Sequence, residues 1–273
     1  MNRNNKILNL LSKIVLKKNK KFKGAHNGES CYIFGNGASI KYFDLGLFSD
    51  RVSIGCGSLF LHRDFHKLDL KYYYMGHPFL FYRYWKNQYK KKYERNNLGK
   101  LWKKNIELNP SVEYFVSLSN YFGIRGDNIN YIHHFGQASD NPPRIELDNV
   151  LSTMDGAMGG MIGMAIYMGF KNITLVGCDY TYKPRSQGHF FEFGKFPDST
   201  EKGGFSKELL SYVKNKVNIQ TLTIDDNYVG DILNHISYEE LLLSKPNYQE
   251  NRDIVSKDNL NKLNRANMEY NIF

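Results

Sequence analysis

Short apolar runs that close on glycine or on a carboxylate recur along this chain, with amphipathic or small-residue stretches between them. Residues 31–34 (Cys-Tyr-Ile-Phe) form the first run, which breaks at once into Gly35-Asn36-Gly37-Ala38-Ser39. A continuous apolar run of this length predicts a strand buried on both faces. A second strand is predicted over 51–57, ending in Gly57, and a third over 71–75, ending in Gly76-His77-Pro78, with a helix over 58–68 between them. Residues 130–135 read as a further short strand. The stretch 154–170 (M-D-G-A-M-G-G-M-I-G-M-A-I-Y-M-G-F) is small and apolar throughout, which suits a helix packed close to a sheet or a ligand, with Gly169 as its stop. Residues 172–179 (N-I-T-L-V-G-C-D) give the clearest buried strand, closing on Asp179. A helix over 205–214, a last strand over 219–224 and a short helix over 238–243 follow. Strands alternating with helices predict a parallel α/β sheet, whose ligands collect outside the carboxyl ends of the strands.

Four stretches stand outside this rhythm. In residues 7–22, Ile7, Leu8, Leu11, Ile14, Val15 and Phe22 fall at helical spacing, with lysines crowding the second half. That pattern fits an amphipathic helix on an anionic membrane surface, or a helix packed on the domain with a solvated basic end. Residues 79–93 interleave aromatics with lysine, as single-stranded nucleic-acid sites do. Their spacing is helical and no nucleic-acid-binding signature accompanies them, so an inserted helical region is expected, with no nucleic-acid partner. Residues 180–204 are polar, aromatic and glycine-bearing, the length of a lid or binding loop, and carry Lys183, Arg185, His189 and Glu192. Beyond Pro246 the chain is rich in Asn and Lys and reads as a loosely attached tail. The expected division is therefore a basic segment 1–28, one domain 29–245 with a lid at 180–204, and a tail 246–273.

At 273 residues and 41% hydrophobic content, one large α/β body is affordable. The net charge of +10 favours anionic partners: nucleic acid, anionic lipid or phosphate-bearing small molecules. Cys31, Cys56 and Cys178 lie in strand-like runs without C-x-x-C spacing, which predicts buried thiols rather than disulfides or a zinc site. No spanning stretch or signal peptide is visible, so a cytoplasmic location is expected, peripheral on the inner membrane face if residues 7–22 dock there.

The turn Gly35-Asn36-Gly37-Ala38-Ser39 suits close approach of a nucleotide phosphate, with Ser39 capping a following helix. It has G-x-G but not the third glycine of the dinucleotide fingerprint, and an ordinary strand-to-helix turn fits as well. Asp179 stands either at the ligand edge or as an acceptor of backbone hydrogen bonds that fixes a loop. Asp225-Asp226 lacks D-x-D spacing, so no metal cofactor is expected.

Taken together, G-N-G-A-S after an early strand and A-I-Y-M-G-F-K-N-I-T-L-V-G-C-D-Y much later resemble the bacterial family-42 sialyltransferases. They equally resemble the motility-associated-factor flagellin glycosyltransferases. The similarity covers residues 32–61 and 151–182. It implies a Rossmann-like fold of the GT-A-variant type, with a mostly parallel sheet, helices on both faces and an inserted helical or lid region. It also implies transfer of a sialic-acid-like nonulosonate from a CMP-activated donor to a glycan or lipid-linked oligosaccharide, such as capsule or lipopolysaccharide, without metal. The nucleotide-donor contacts that it points to are Asn36, Ser39, Asp155, Gly156 and Gly159; the residues themselves add Gly35, Gly37 and Gly57 in the strand-end turns, Asp179 at its strand end and Arg185 in the loop as candidate donor-binding residues. Tyr180 and Tyr182 match the tyrosines that assist the departing phosphate.

The chain departs from the family at Gly57 and at Gly76-His77, where the family has asparagines. It departs again at Gly204-Phe205-Ser206-Lys207, where the family has its histidine. His189 is then the first choice of general base, with His77 and the pair His133-His134 as the other candidates. Arg185 and Lys183 are suited to balance phosphate charge. Two other classes remain open: a pterin-type pyrophosphokinase using Mg²⁺ and ATP, with Asp179 and Asp155 as ligands, and a non-catalytic nucleotide-binding assembly protein, as a homo-oligomer or on a membrane.

Overall fold

The computed structural model describes residues 12–82, 92–133, 143–152, 156–195, 198–199, 207–266 and 270–273. Its centre is one sheet of strands β1 (Ser30–Phe34), β2 (Val52–Cys56), β3 (Leu70–Met75), β4 (Glu113–Ser117), β5 (Ile129–Ile132), β6 (Asn172–Val176), β7 (Asn218–Thr223) and β8 (Asn234–Ser237). Their order across the sheet is β8-β7-β6-β1-β2-β3-β4-β5, and each neighbouring pair is parallel. Tyr32 thus lies beside Ser53 on one side and Thr174 on the other. The chain steps outward from β1 to β5 and then returns to the far side of β1 as β6. The order in which strands are added therefore reverses between β1 and β6, the position at which open α/β sheets bind ligands.

Strand side chains alternate between two buried layers, Tyr32 and Phe34 facing one way and Cys31 and Ile33 the other. The first layer holds Trp102 and Ile106 of α1 (Lys92–Leu108). The second holds the apolar flanks of α2 (Gly156–Met168) and α3 (Lys207–Lys214), including Met161, Met164, Leu209 and Val213. Right-handed crossovers require this split, because the steps β3 to β4 and β6 to β7 run in opposite directions across the sheet. The parallel α/β sheet expected from the runs, and the Rossmann-like architecture that the resemblance implies, are observed, with every described strand of the central sheet parallel.

Two expected elements differ from the structure. The helix over 58–68 is replaced by two 3₁₀ turns, Leu59–Leu61 and Phe65–Lys67. The buried Tyr73 hydroxyl takes up the local backbone there, accepting from Phe60 N and donating to the carbonyls of Cys56 and Gly57. The segment beyond Pro246 is not loosely attached. After α4 (Tyr238–Leu242) and α5 (Asn251–Ile254), α6 (Lys257–Ala266) packs Leu260 and Leu263 into the first core layer, and Ile272 joins them. A few apolar residues at helical spacing outweigh a polar average.

Within 12–22, a helical turn over 12–16 continues as the 3₁₀ helix Lys17–Phe22, and Leu16, Asn19 and Phe22 face the domain at every third position. Phe22 packs on Phe115 at 4.9 Å between ring centres. This turn lies along the outer edge of β5: Lys18 Nζ donates to the carbonyl of Ile129 and Asn19 Nδ2 to that of Tyr131, while Leu151 N takes the carbonyl of His133. Residues 7–11, and 83–91 of the aromatic stretch, fall outside the described residues. Among those described, no helix is long and apolar enough to cross a membrane.

Candidate active site

At the β1/β6 reversal, the turns that leave the two strands are zipped together. Gly35 N donates to the Val176 carbonyl at 2.8 Å and Gly37 N to that of Gly177 at 2.9 Å. A Cβ on Gly35 would stand 2.3 Å from the Gly177 oxygen, and one on Gly37 would stand 2.4 Å from the Asp179 carboxyl carbon. Such separations are far inside van der Waals contact, so both glycines are required by the neighbouring turn.

The β6 turn delivers Asp179 into the place expected for an anion. Its carboxylate accepts from Ser39 N at 2.9 Å and from Ser39 Oγ at 2.5 Å. Burial raises this carboxyl to about 6, against the opposing hydrogen bonds from Ser39 and Tyr182. Ser39 accordingly does not cap an α-helix. It lies inside the five-residue 3₁₀ turn Ala38–Tyr42, and its N–H is spent on Asp179. These bonds are those of a loop-fixing acceptor, with Asp179 joining the β6 turn to the β1 turn.

Asn36 ties β1 to β2 in the same way. Its Oδ1 accepts from Ser58 N at 3.0 Å and its Nδ2 donates to the Cys56 carbonyl at 3.2 Å. Gly57 has φ +58, and a Cβ there would lie 2.5 Å from Asn36 Nδ2, so glycine makes room for the Asn36 amide. Cys31, Cys56 and Cys178 are buried free thiols, as expected, and burial pushes the Cys56 thiol up to about 12. Gly156 opens α2 exposed, Gly159 is buried, and a Cβ on the adjacent Gly160 would meet the Tyr74 ring at 2.4 Å. Asp155 lies outside the described residues, as do His134 and Gly204-Phe205-Ser206.

The segment after β6 folds back over this turn. His189 forms an antiparallel bridge with Gly37, and Phe190 N donates to the Asn36 carbonyl at 3.1 Å. The His189 ring stacks on Phe191 at 4.9 Å and meets Tyr270 edge-on at 5.4 Å, with 40% of the side chain exposed. Its Nδ1 lies 2.9 Å from Glu192 Oε2. A histidine with one nitrogen held by a carboxylate and a partly open ring can accept a proton from a hydroxyl in the crevice.

The other candidates are distributed differently. Tyr180, on the 3₁₀ turn Asp179–Thr181, is half exposed. Tyr182 is fully buried, its hydroxyl beside Asp179 and 3.4 Å from Ser186 Oγ, and burial drives its ionisation well up. Arg185 is buried against Asp231 at 2.9 Å, and Lys183 pairs with the same carboxylate at 2.7 Å, so their charge is shared within the fold. His77 follows β3, two strands and about 10 Å across the sheet from β1. Its ring lies 5.4 Å from Trp102, and burial lowers its basicity. His77 thus stands at the same carboxyl-end side of the sheet as the β1 turn, two strands away from it.

Residues that sequence reasoning passed over hold the loop from the far end of the chain. Lys41 Nζ donates to the Gly194 carbonyl at 2.6 Å and pairs with Glu250 at 3.2 Å. Glu250 Oε1 also accepts from Gly194 N. Burial pushes the Glu250 carboxyl up, but donation from Asn251, Gly194, Tyr248 and Lys41 outweighs it and sets it at about 2. Asn251 Nδ2 donates to the carbonyls of Phe191 and Ile272. No local motif marks these residues; the capping box Glu250–Asp253 is the nearest local signal.

No family model matches this sequence. No curated protein matches it. Among solved structures, the chain is similar to a MAf glycosyltransferase from Magnetospirillum magneticum AMB-1, with 13% identity and a TM-score of 0.48 over 96% of this chain. It spans 42% of the length of that protein. It is also similar to the sialyltransferase CstII from Campylobacter jejuni, solved in complex with a substrate analogue, cytidine-5'-monophosphate. That match has 14% identity and a TM-score of 0.34, covering 88% of this chain and 99% of the other.

Proposed function

We propose that this chain is a glycosyltransferase that passes a sialic-acid-like nonulosonate, with inversion, from a CMP-activated donor to a hydroxyl of a cell-surface glycan or lipid-linked oligosaccharide. The observation that carries this reading is the backbone bridge between His189 and Gly37 at the strand-order reversal, the region where an α/β sheet binds its ligand. The nucleotide lies over Asn36, Gly57 and the start of α2, and the sugar lies toward His189. His189 takes the acceptor hydroxyl proton as that oxygen bonds to the anomeric carbon. The bond from that carbon to the phosphate oxygen breaks, and CMP leaves with the electron pair. Half-exposed Tyr180 donates a hydrogen bond to the departing phosphate, and Lys183 and Arg185 add positive potential. The exposed lysines at 13, 17 and 20 are the face that would meet an anionic membrane surface.

A thermal-shift screen of CMP, CDP, UDP, GDP and ATP, each with and without Mg²⁺, tests the donor class. Stabilisation by CMP without Mg²⁺ supports the proposal. A response to ATP with Mg²⁺ alone overturns it in favour of the pyrophosphokinase class, and no response to any nucleotide favours an assembly protein. His189→Ala should lower transfer about 10²- to 10⁴-fold while the CMP-induced shift stays unchanged; turnover at the wild-type rate would remove His189 from the base's role.

A further inference from the structure

Glu192 is buried three residues beyond His189, and both of its oxygens are committed. Oε2 accepts from the backbone N of His189 at 2.8 Å and lies 2.9 Å from its Nδ1, and Oε1 accepts from Asn271 N at 3.3 Å. Phe193 N donates to the Asn271 carbonyl at 2.6 Å, so the chain end and the His189 loop are joined on both sides of the carboxylate. We infer that Glu192 is the positioning residue of this site, orienting His189 through Nδ1, and that residues 270–272 complete the site by holding Glu192 and the ring.

An ionised carboxylate only accepts hydrogen bonds, so the proton of the neutral imidazole must sit on Nδ1 and the lone pair on Nε2. Burial pushes the Glu192 carboxyl up, yet the His189 hydrogen bond and charge, with the two backbone donors, outweigh it and keep the group below its usual range. The ring has little freedom to turn away, being stacked on Phe191 and flanked by Tyr270. Nε2 is therefore the atom left to receive the acceptor hydroxyl proton, and the resulting imidazolium forms beside a fixed negative charge. This inference rests on the reading of His189 as the base; the orientation itself does not.

The test uses the full chain labelled with ¹⁵N at histidine. Wild type should show His189 as the Nδ1–H tautomer in the ¹⁵N spectrum. In Glu192→Gln one accepting oxygen becomes an amide donor, so the tautomer should shift and transfer should fall about 100-fold or more, with the CMP-induced thermal shift retained. Glu192→Asp should recover part of both. A wild-type spectrum showing Nε2–H overturns the inference without any variant, so a failure of Glu192→Gln to fold leaves it falsifiable. An unchanged tautomer and rate in folded Glu192→Gln overturns it as well. A shifted tautomer, with no transfer from any CMP-sugar by wild type, supports the orientation and overturns the transferase reading instead.

Discussion

The β1/β6 turn and the His189 loop meet at one backbone bridge, yet they are held by opposite means. The turn is held by what is missing: Gly35 and Gly37 have no Cβ, so two backbones close on each other and on Asp179. The loop is held by what arrives from elsewhere, since its anchors at Asn251, Glu250 and Asn271 lie 56 to 79 residues further along the chain. A rigid floor beside a separately anchored wall allows side chains of the wall, His189 among them, to change without disturbing the turn.

The largest effect that distinguishes the two regions should come from Gly35→Ala. Its methyl would press on a backbone oxygen that no rotamer can move, and the cost should be about 3 kcal/mol in urea denaturation, at the upper end of overpacking. A loss under about 1 kcal/mol would mean that the two turns are not closed on each other.

Proton linkage separates the regions next, because burial shifts Asp179 in the turn and His62 beside the loop in opposite directions. Asp179, in the turn, is raised to about 6, so the folded state takes up its proton before the unfolded state does as pH falls. Its effect is to make the fold more stable from about pH 6 down to about pH 4. His62, at the seam of the loop with its ring 5.8 Å from Phe190, is lowered by burial to about 4. The unfolded chain protonates this histidine first, so stability is lost as pH falls from about 6.5 to 4. Each contribution is at most roughly 3 kcal/mol, and in wild type the two oppose one another. Asp179→Asn should expose the acid-side loss and His62→Gln the acid-side gain; parallel urea midpoints against pH for both variants would contradict this pairing.

The smallest effect is confined to the wall. Asn251→Ala strips donors from two buried carbonyls and should cost about 2 kcal/mol. Limited proteolysis should then cut within 189–195 faster than elsewhere; an unchanged cleavage pattern would show that the loop has other anchors strong enough to hold it.

The same contrast explains how much could be read in advance. The strands at 31–34, 71–75 and 172–176 are legible because two-sided burial demands runs dominated by apolar residues, and the glycines mark close approach whatever is approached. Those glycines do not reveal that the approaching group is Asp179 rather than a phosphate, since a carboxylate from the chain and an anion from solution ask for the same space. His189 was accessible as a candidate through its place in the loop. The hold on Glu192 by Asn271 was not, because one hydrogen bond spanning 79 residues leaves no periodicity. The tail misled for a related reason: Leu260 and Leu263 carry its packing amid asparagine and lysine that only face solvent.

The hydrogen bonds from Lys18, Asn19 and Leu151 to the outer carbonyls of β5 bear on solubility. A parallel sheet ends in a row of unpaired backbone groups, and a bare edge recruits the edge of another molecule. Here the basic segment fills that row, so removing residues through Phe22 would uncover Ile129 and Tyr131 and invite self-association into strand-paired oligomers. A vesicle-binding experiment on the lysine face is therefore better made by neutralising Lys13, Lys17 and Lys20 within the intact chain, which keeps the sheet edge closed.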